Sequence, residues 1–140
     1  MAPPASVLVD DLDEEHEVCA AALAALGERR DTAALRSVLE AYEAHFAHEE
    51  QLLDQHMYAD VGDARGFSAA AGQRKSHFGD HQRQLAALQA EIARREKPGG
   101  DATPVPAAFV QQVMADFERH AADYDSTYAE TLAAALAASA

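Results

Sequence analysis

Four amphipathic helical segments, separated by turn-rich breaks, constrain the fold of this 140-residue chain more than any other feature. The segments are rich in Ala, Leu, Glu, Gln and Arg and poor in β-branched residues, a composition typical of helices. Apolar residues recur at helical spacing, so each helix has one apolar face. We predict helices near 11–27, 32–58, 68–96 and 104–137. Their short connections predict an all-α fold: one domain, residues 1–140, folded as an up-down-up-down antiparallel four-helix bundle.

Two of the breaks contain residues that typically begin a helix. Asp31 or Thr32 is expected to cap the second helix, because both side chains can accept a hydrogen bond from a free backbone N–H. Thr103 is expected to cap the fourth helix, with Pro104 at its first helical position.

Histidine occupies the inward-facing positions of all four helices. These positions are Leu12, His16, Cys19, Leu23 and Leu26 in the first helix; Val38, Tyr42, His45, Glu49, Leu52 and His56 in the second; His77, His81, Leu85, Leu88 and Ile92 in the third; and Val110, Val113, Phe117, His120 and Tyr124 in the fourth. A single histidine on an apolar face is more often a hydrogen-bonded core residue than a ligand. Histidines on four facing helices, with carboxylates nearby, instead indicate a metal site in the bundle core.

The residue types at these positions restrict the metal. Imidazole and carboxylate ligands without thiolate suit iron, manganese, zinc or copper. Five histidines and two carboxylates are too many for one tetrahedral zinc ion, so two metals that share carboxylates fit the count better. Two aspartates, Asp123 and Asp125, follow His120 and could supply the last carboxylate. Helical periodicity places position 123 or 124 on the face of His120, so periodicity alone selects Asp123.

The charge and the single cysteine exclude several kinds of partner and location. With 24 acidic and 11 basic residues, the formal charge of −13 argues against nucleic acid and against an anionic membrane surface as partners. No secretory signal or transmembrane run is expected from the sequence pattern. One cysteine forms no internal disulfide, so the expected location is cytoplasmic.

The histidine-bearing segments resemble the four signature segments of the hemerythrin family. They read DEEHE around His16, HFAHEE from His45, HFGDH from His77 and HAADYDSTY from His120. The family pattern is a lone histidine after an Asp-Glu pair, followed by H-x3-E, H-x3-H and H-x4-D. The match extends over residues 10–128.

This resemblance implies a non-haem di-iron centre, with two iron ions joined by an oxo or hydroxo bridge. The implied metal ligands are His16, His45, Glu49, His77, His81, His120 and Asp125. Glu49 and Asp125 would bridge the irons. The histidines of the third and fourth helices would complete one six-coordinate iron, and His16 and His45 would leave the other with an open position for dioxygen. The implied function is reversible dioxygen binding by a carrier, store or local supplier that is not an enzyme.

Three features depart from simple periodicity or from the family pattern. Asp125 is five residues after His120, so we predict a widened turn with i→i+5 hydrogen bonds that turns Asp125 inward and leaves Asp123 exposed. Phe117 resembles the position that lines the oxygen pocket in the family, although plain core packing is an equal alternative. The 27 residues between Glu49 and His77 predict a longer loop, an extra short helix or a third helix extended at its start.

Two other functions are compatible with a buried site of this composition. A sensor of oxygen, redox state or nitric oxide is one alternative, and a di-iron oxidase or iron-handling protein is another. Ferritin-like di-iron sites use several glutamates, whereas this set is rich in histidine, which favours oxygen binding. We expect His48 at the helix flank, His56 partly exposed, and Cys19 as a small buried hydrophobe.

Overall fold

A computed structural model describes residues 10–58, 69–100 and 103–139 of the chain. Within these ranges the regular structure is helical throughout, which confirms the all-α prediction. The helices are α1 (Asp10–Arg29), α2 (Thr32–His56), α3 (Ala69–Glu96), α4 (Ala107–His120) and α5 (Ser126–Ser139), and a π-helical turn, Ala121–Asp125, joins α4 to α5. The single-domain boundary at 1–140 stays a prediction.

Helix α2 begins where the sequence indicates. Asp31 has an extended backbone, and its side chain accepts a hydrogen bond of 2.8 Å from the backbone N–H of Ala34. The carboxylate thereby satisfies one of the N–H groups that the first helical turn leaves without a partner.

The predicted start of the fourth helix is wrong. Helix α4 begins at Ala107 rather than Pro104, and its N-cap residue, Pro106, makes no side-chain cap hydrogen bond. Val105 precedes a proline, which disfavours the helical conformation at that residue. Its backbone is instead paired with Arg30, whose carbonyl accepts from the Val105 N–H at 2.8 Å and whose Nε donates to the Val105 carbonyl at 2.7 Å.

The extra length between Glu49 and His77 is partly helical. Helix α3 begins at Ala69 and therefore runs for eight residues before His77, as expected for a third helix extended at its start. The preceding stretch, 59–68, lies outside the described residues.

Two apolar clusters occupy the interior, and the helices pack around them. Helix α1 packs against α2 and α4, α2 packs against α3 and α5, and α3 packs against α4. The larger cluster consists of Cys19, Leu23, Leu26, Ala34, Leu35, Val38, Tyr42, Phe46, Leu88, Ile92, Val105, Val110, Val113 and Phe117. The smaller cluster consists of Leu12, Leu53, Tyr58, Tyr128, Ala129 and Leu132. Along the chain, the buried histidines and carboxylates fall between residues of the two clusters.

Most of the predicted inward positions are buried, with four exceptions. All five predicted positions of α1 are buried. The exceptions are Leu52, His56, Leu85 and Tyr124, which are only partly buried. On α2 the inward face continues four residues after Glu49, at Leu53, rather than three, at Leu52. On α3 it continues three residues after His81, at Gln84, rather than four, at Leu85. Among the described helices, none combines the length and the apolar character that crossing a membrane requires.

Candidate metal centre

Seven titratable side chains from helices α1 to α4 and the π-helical turn meet between the two apolar clusters. They are His16 on α1, His45 and Glu49 on α2, His77 and His81 on α3, His120 at the end of α4 and Asp125 at the end of the π-helical turn, and each is at most 3% exposed. Burying so many polar groups is costly unless each finds a partner. The structure thus brings together all the ligands that the family resemblance implies.

The ligand atoms of these side chains form two overlapping groups. The three-histidine group contains Glu49, His77, His81 and His120, and the two-histidine group contains His16, His45, Glu49 and Asp125. Within each group the candidate ligand atoms all lie within 4.8 Å of one another, a spacing at which they could hold a metal ion.

Glu49 belongs to both groups because its two oxygens face different histidines. Its Oε1 lies 2.8 Å from His77 Nε2 and 3.0 Å from His81 Nε2. Its Oε2 lies 3.4 Å from His45 Nε2, one helical turn earlier on α2. The i, i+4 spacing of His45 and Glu49 therefore places both on the inward face, as the sequence indicates.

Asp125 has the same divided arrangement. Its Oδ1 lies 3.4 Å from His120 Nε2 and 3.5 Å from His77 Nε2, whereas its Oδ2 lies 3.3 Å from His16 Nε2. The predicted widened turn is confirmed: residues 121–125 are π-helical, Asp125 is buried and Asp123 is exposed. The wider turn carries the fifth residue after His120 back to the inward face.

Several atoms at this site lack the partners that burial normally requires. Both ring nitrogens of His16, the Nε2 of His45 and the Oε2 of Glu49 are buried and have no hydrogen-bond partner among the described residues. Nε2 atoms of His81 and His120 also approach within 3.0 Å of each other. Buried polar atoms without partners call for an explanation such as a bound ion. The donor set therefore fits metal cations.

The electrostatic environment keeps both shared carboxylates ionised. Burial raises the pKa of Glu49, but hydrogen bonds from His120, His77 and His81 outweigh it and hold that pKa well below its ordinary value. Burial and the charge of Glu49 raise the pKa of Asp125, yet hydrogen bonds from the histidines, first His120, bring it below its usual range. Burial lowers the pKa of His120, but hydrogen bonds led by the one to Asp125 raise it to about 11. A metal would have to displace such imidazole protons.

Aromatic rings line the histidines on several sides. Phe117 is buried, with its ring edge-on to His16 at a centroid distance of 6.0 Å and stacked on Tyr42 at 5.1 Å. Phe46 stacks on His81 at 4.0 Å. Because Phe117 contacts His16, it lies on the side of the two-histidine group.

Tyr128 lies beside the three-histidine group, against His77 and Asp125. Its hydroxyl donates to Asp125 Oδ1 at 3.4 Å, and its ring stacks on His77 at 5.6 Å. Burial, followed by the charges of Glu49 and Asp125, raises the pKa of Tyr128, so the hydroxyl keeps its proton. Its spacing of three residues after Asp125 is the sequence feature that places it on this face.

A cavity of about 390 Å³ adjoins the site near the end of α2 and the start of α3. Its described lining includes Met57, Tyr58, Ser76, His77 and Tyr128. The cavity therefore reaches the site beside His77, which belongs to the three-histidine group.

Three carboxylates around the site were missed by the sequence analysis. Glu15, Glu50 and Asp80 each hydrogen-bond the Nδ1 atom of one of the seven clustered residues. The available clue was their position: each directly precedes or follows one of those residues in the chain.

The remaining singled-out residues lie outside both groups. His48 is half-buried at the flank of α2, and its Nδ1 lies 2.6 Å from Glu15. His56, in the last turn of α2, is partly buried. Cys19 is buried in the larger cluster, and burial raises its pKa to about 12. These placements agree with the expectations for all three.

The fold and the site together define an all-helical protein with a buried histidine and carboxylate cluster of the kind that binds metal cations. The family model described as the hemerythrin HHE cation binding domain matches residues 7–132. The chain therefore belongs to the hemerythrin family, which confirms the resemblance seen in its sequence. No curated protein and no solved structure matches the chain significantly.

Proposed function

We propose that this protein binds dioxygen reversibly at a non-haem di-iron centre, as an oxygen carrier, store or local supplier, and that it does so without catalysing a reaction. The observation that carries the proposal is the divided arrangement of two buried carboxylates. Glu49 and Asp125 each direct one oxygen toward the three-histidine group and the other toward His16 or His45. Such a pair of carboxylates suits two cations that share both of them.

The donor set supports iron, and its asymmetry supports a binding function. Imidazole and carboxylate ligands admit iron among few metals, and membership of the hemerythrin family favours iron over manganese, zinc or copper. When bound, the two irons would supply the electrons for reversible oxygen binding. His77, His81 and His120 give one position three nitrogen ligands, whereas His16 and His45 give the other only two. The second position therefore keeps room for a small ligand.

The surroundings of the two-histidine group favour binding over hydrolytic chemistry. Leu12 and Leu53 are fully buried on one side of the histidines, and Phe117 is buried on the other. These side chains exclude bulk water from the buried ionised groups. Because Phe117 contacts the ring of His16, it is the residue that we assign to the oxygen pocket.

The topology that we propose is the up-down-up-down antiparallel four-helix bundle, with the π-helical turn inside the fourth helix. The order of the apolar clusters along the chain supports it. Helix α1 runs from Leu12 in the smaller cluster to Cys19 in the larger, whereas α2 runs from Phe46 in the larger to Leu53 in the smaller. The net charge of −13 argues against nucleic acid and an anionic membrane as partners, and dioxygen is the partner that we propose. A cytoplasmic location is proposed from the single cysteine alone.

Repeated oxygenation of the reduced, iron-loaded protein tests the proposal. The protein is reduced without oxygen, exposed to oxygen, and returned to argon while its optical spectrum and the oxygen taken up are recorded. We expect an oxygen-dependent band that appears and disappears over several cycles, with about one oxygen molecule taken up per chain. The zinc-loaded protein is the control, because zinc has no redox chemistry.

Two results would favour the alternatives. Irreversible oxidation at the first exposure would favour a redox or oxygen sensor. Uptake of many oxygen molecules per chain, sustained by added reductant, would favour an oxidase and contradict binding without turnover.

A further inference from the structure

Three carboxylates outside the candidate ligand set form a repeated arrangement around the metal centre. Each adjoins a candidate ligand in the chain and accepts a hydrogen bond from the Nδ1–H of a histidine on the next helix. The pairs are Glu15 with His45 at 2.9 Å, Glu50 with His81 at 2.7 Å, and Asp80 with His120 at 2.6 Å. The carboxylates thus link α1 to α2, α2 to α3 and α3 to α4.

Helix geometry explains why neighbours in sequence act on different helices. Successive residues of an α-helix are rotated by about 100°. A residue next to an inward-facing ligand therefore lies at the edge of the inward face, close to the adjacent helix. Glu50, for example, follows Glu49 on α2 and reaches His81 on α3.

We propose that Glu15, Glu50 and Asp80 are positioning residues of this centre, and that they make its two metal positions unequal. The inference rests on the proposed metal centre. A histidine that donates its Nδ1–H to a carboxylate has its lone pair on Nε2, and its ring cannot rotate without breaking that bond. In the three partner histidines it is Nε2 that faces Glu49.

The strength of this support differs between the two groups. Asp80 is itself held by an ion pair with Arg83 and a 3.0 Å hydrogen bond from Gln84, and its side chain is only 10% exposed. Glu50 provides a second carboxylate to the same three-histidine group. Two histidines of that group, His81 and His120, are therefore each oriented by a carboxylate of a neighbouring helix.

Support for the two-histidine group is weaker. Glu15 is about as exposed as Glu50, at 30% against 28%, but it is shared between His45 and His48, whose Nδ1 atoms lie 2.9 and 2.6 Å away. Neither ring nitrogen of His16 has a hydrogen-bond partner among the described residues. The three-histidine group consequently binds its metal first and more tightly, and the two-histidine group fills second.

Cobalt(II) titration of the metal-free protein under argon tests this order, because optical spectra distinguish the first equivalent from the second. Replacing a hydrogen-bonding partner of a metal ligand typically costs about 10- to 100-fold in metal affinity. We expect Glu50→Ala and Asp80→Ala to lower the affinity for the first cobalt equivalent by about 10- to 100-fold. We expect Glu15→Ala to weaken only the second. Glu17→Ala and Glu43→Ala remove exposed charges from α1 and α2 and are the matched controls.

A conservative variant separates positioning from general stability. Glu50→Gln keeps an oxygen that accepts the His81 proton, so it should recover most of the affinity lost in Glu50→Ala. Unfolding of the metal-free proteins in urea is measured in parallel. A purely structural role would lower stability while leaving the difference between the two equivalents unchanged, and that result would overturn the inference.

The outcomes separate this inference from the proposed function. If the unaltered protein binds two cobalt ions and the three variants bind like the controls, the carboxylates are not positioning residues although the centre stands. If Glu15→Ala weakens binding of the first equivalent and Asp80→Ala does not, the proposed order of filling is overturned. If the unaltered protein binds fewer than two cobalt ions, the dinuclear centre fails, and this inference fails with it.

Discussion

Replacing Asp125, with Asp123 as the matched control, is the most informative single perturbation of the site. The two aspartates are two residues apart on the same π-helical turn, but Asp125 is buried and Asp123 is exposed. The oxygens of Asp125 lie 3.3 to 3.5 Å from nitrogens of His16, His77 and His120. Removing one partner of a buried ionic contact costs about 3–5 kcal/mol. A substitution at an exposed position changes stability by only about 0.5 kcal/mol.

Urea unfolding of the metal-free proteins measures this difference in stability. Elemental analysis of the same proteins loaded with iron measures how much metal each variant retains. Asp125→Ala should lose about 3–5 kcal/mol of unfolding free energy, and it should retain less than the full metal content because one of two shared carboxylates is gone. Asp123→Ala should match the unaltered protein in both measurements. Domains of this kind have only about 5–15 kcal/mol of stability. Asp125→Asn, which keeps the side-chain size, therefore serves if the alanine variant does not fold.

The reasoning is refuted by the reverse pattern. If Asp123→Ala loses metal while Asp125→Ala and Asp125→Asn retain it, the π-helical turn does not bring the metal-binding carboxylate inward. Equal losses at both positions would show that the turn as a whole, rather than Asp125, matters for stability.

Three further predictions concern single side chains. His77→Ala should retain fewer than two metals per chain by elemental analysis, because His77 Nε2 lies 2.8 Å from the shared carboxylate of Glu49; full retention would exclude it as a ligand. Phe117→Leu should keep two metals but change oxygen affinity or the rate of irreversible oxidation, and unchanged values of both would leave Phe117 with a packing role only. Cys19, whose pKa burial raises to about 12, should react with a thiol reagent at pH 8 only after unfolding; rapid reaction of the native protein would contradict its burial.

Helical spacing was sufficient to identify most of the candidate ligands. His45 with Glu49 and His77 with His81 are i, i+4 pairs, and each pair is inward-facing and buried as that spacing requires. Asp125 was not accessible to the same reasoning, because an ideal helix rotates it about 140° away from His120. Only the family pattern selected it, since no 3.6-residue periodicity encodes a π-helical turn.

Features that depend on contacts between distant segments were the ones missed. The Thr103–Pro104 pair is a good local signal for a helix start, but the pairing of Val105 with Arg30, 75 residues away, holds that segment outside the helix. Glu15, Glu50 and Asp80 were not predicted for the same reason. Asp80 appears in the sequence as one more acid, and its role depends on the position of His120 on a neighbouring helix.

The iron content of the purified protein tests the central claim most directly. The account predicts two irons per chain, measured by elemental analysis after expression with adequate iron, because Glu49 and Asp125 each face both groups of histidines. His77→Ala, prepared in the same way, should give a lower value. A consistent content near one metal per chain, or tightly bound zinc in place of iron, would contradict the di-iron centre.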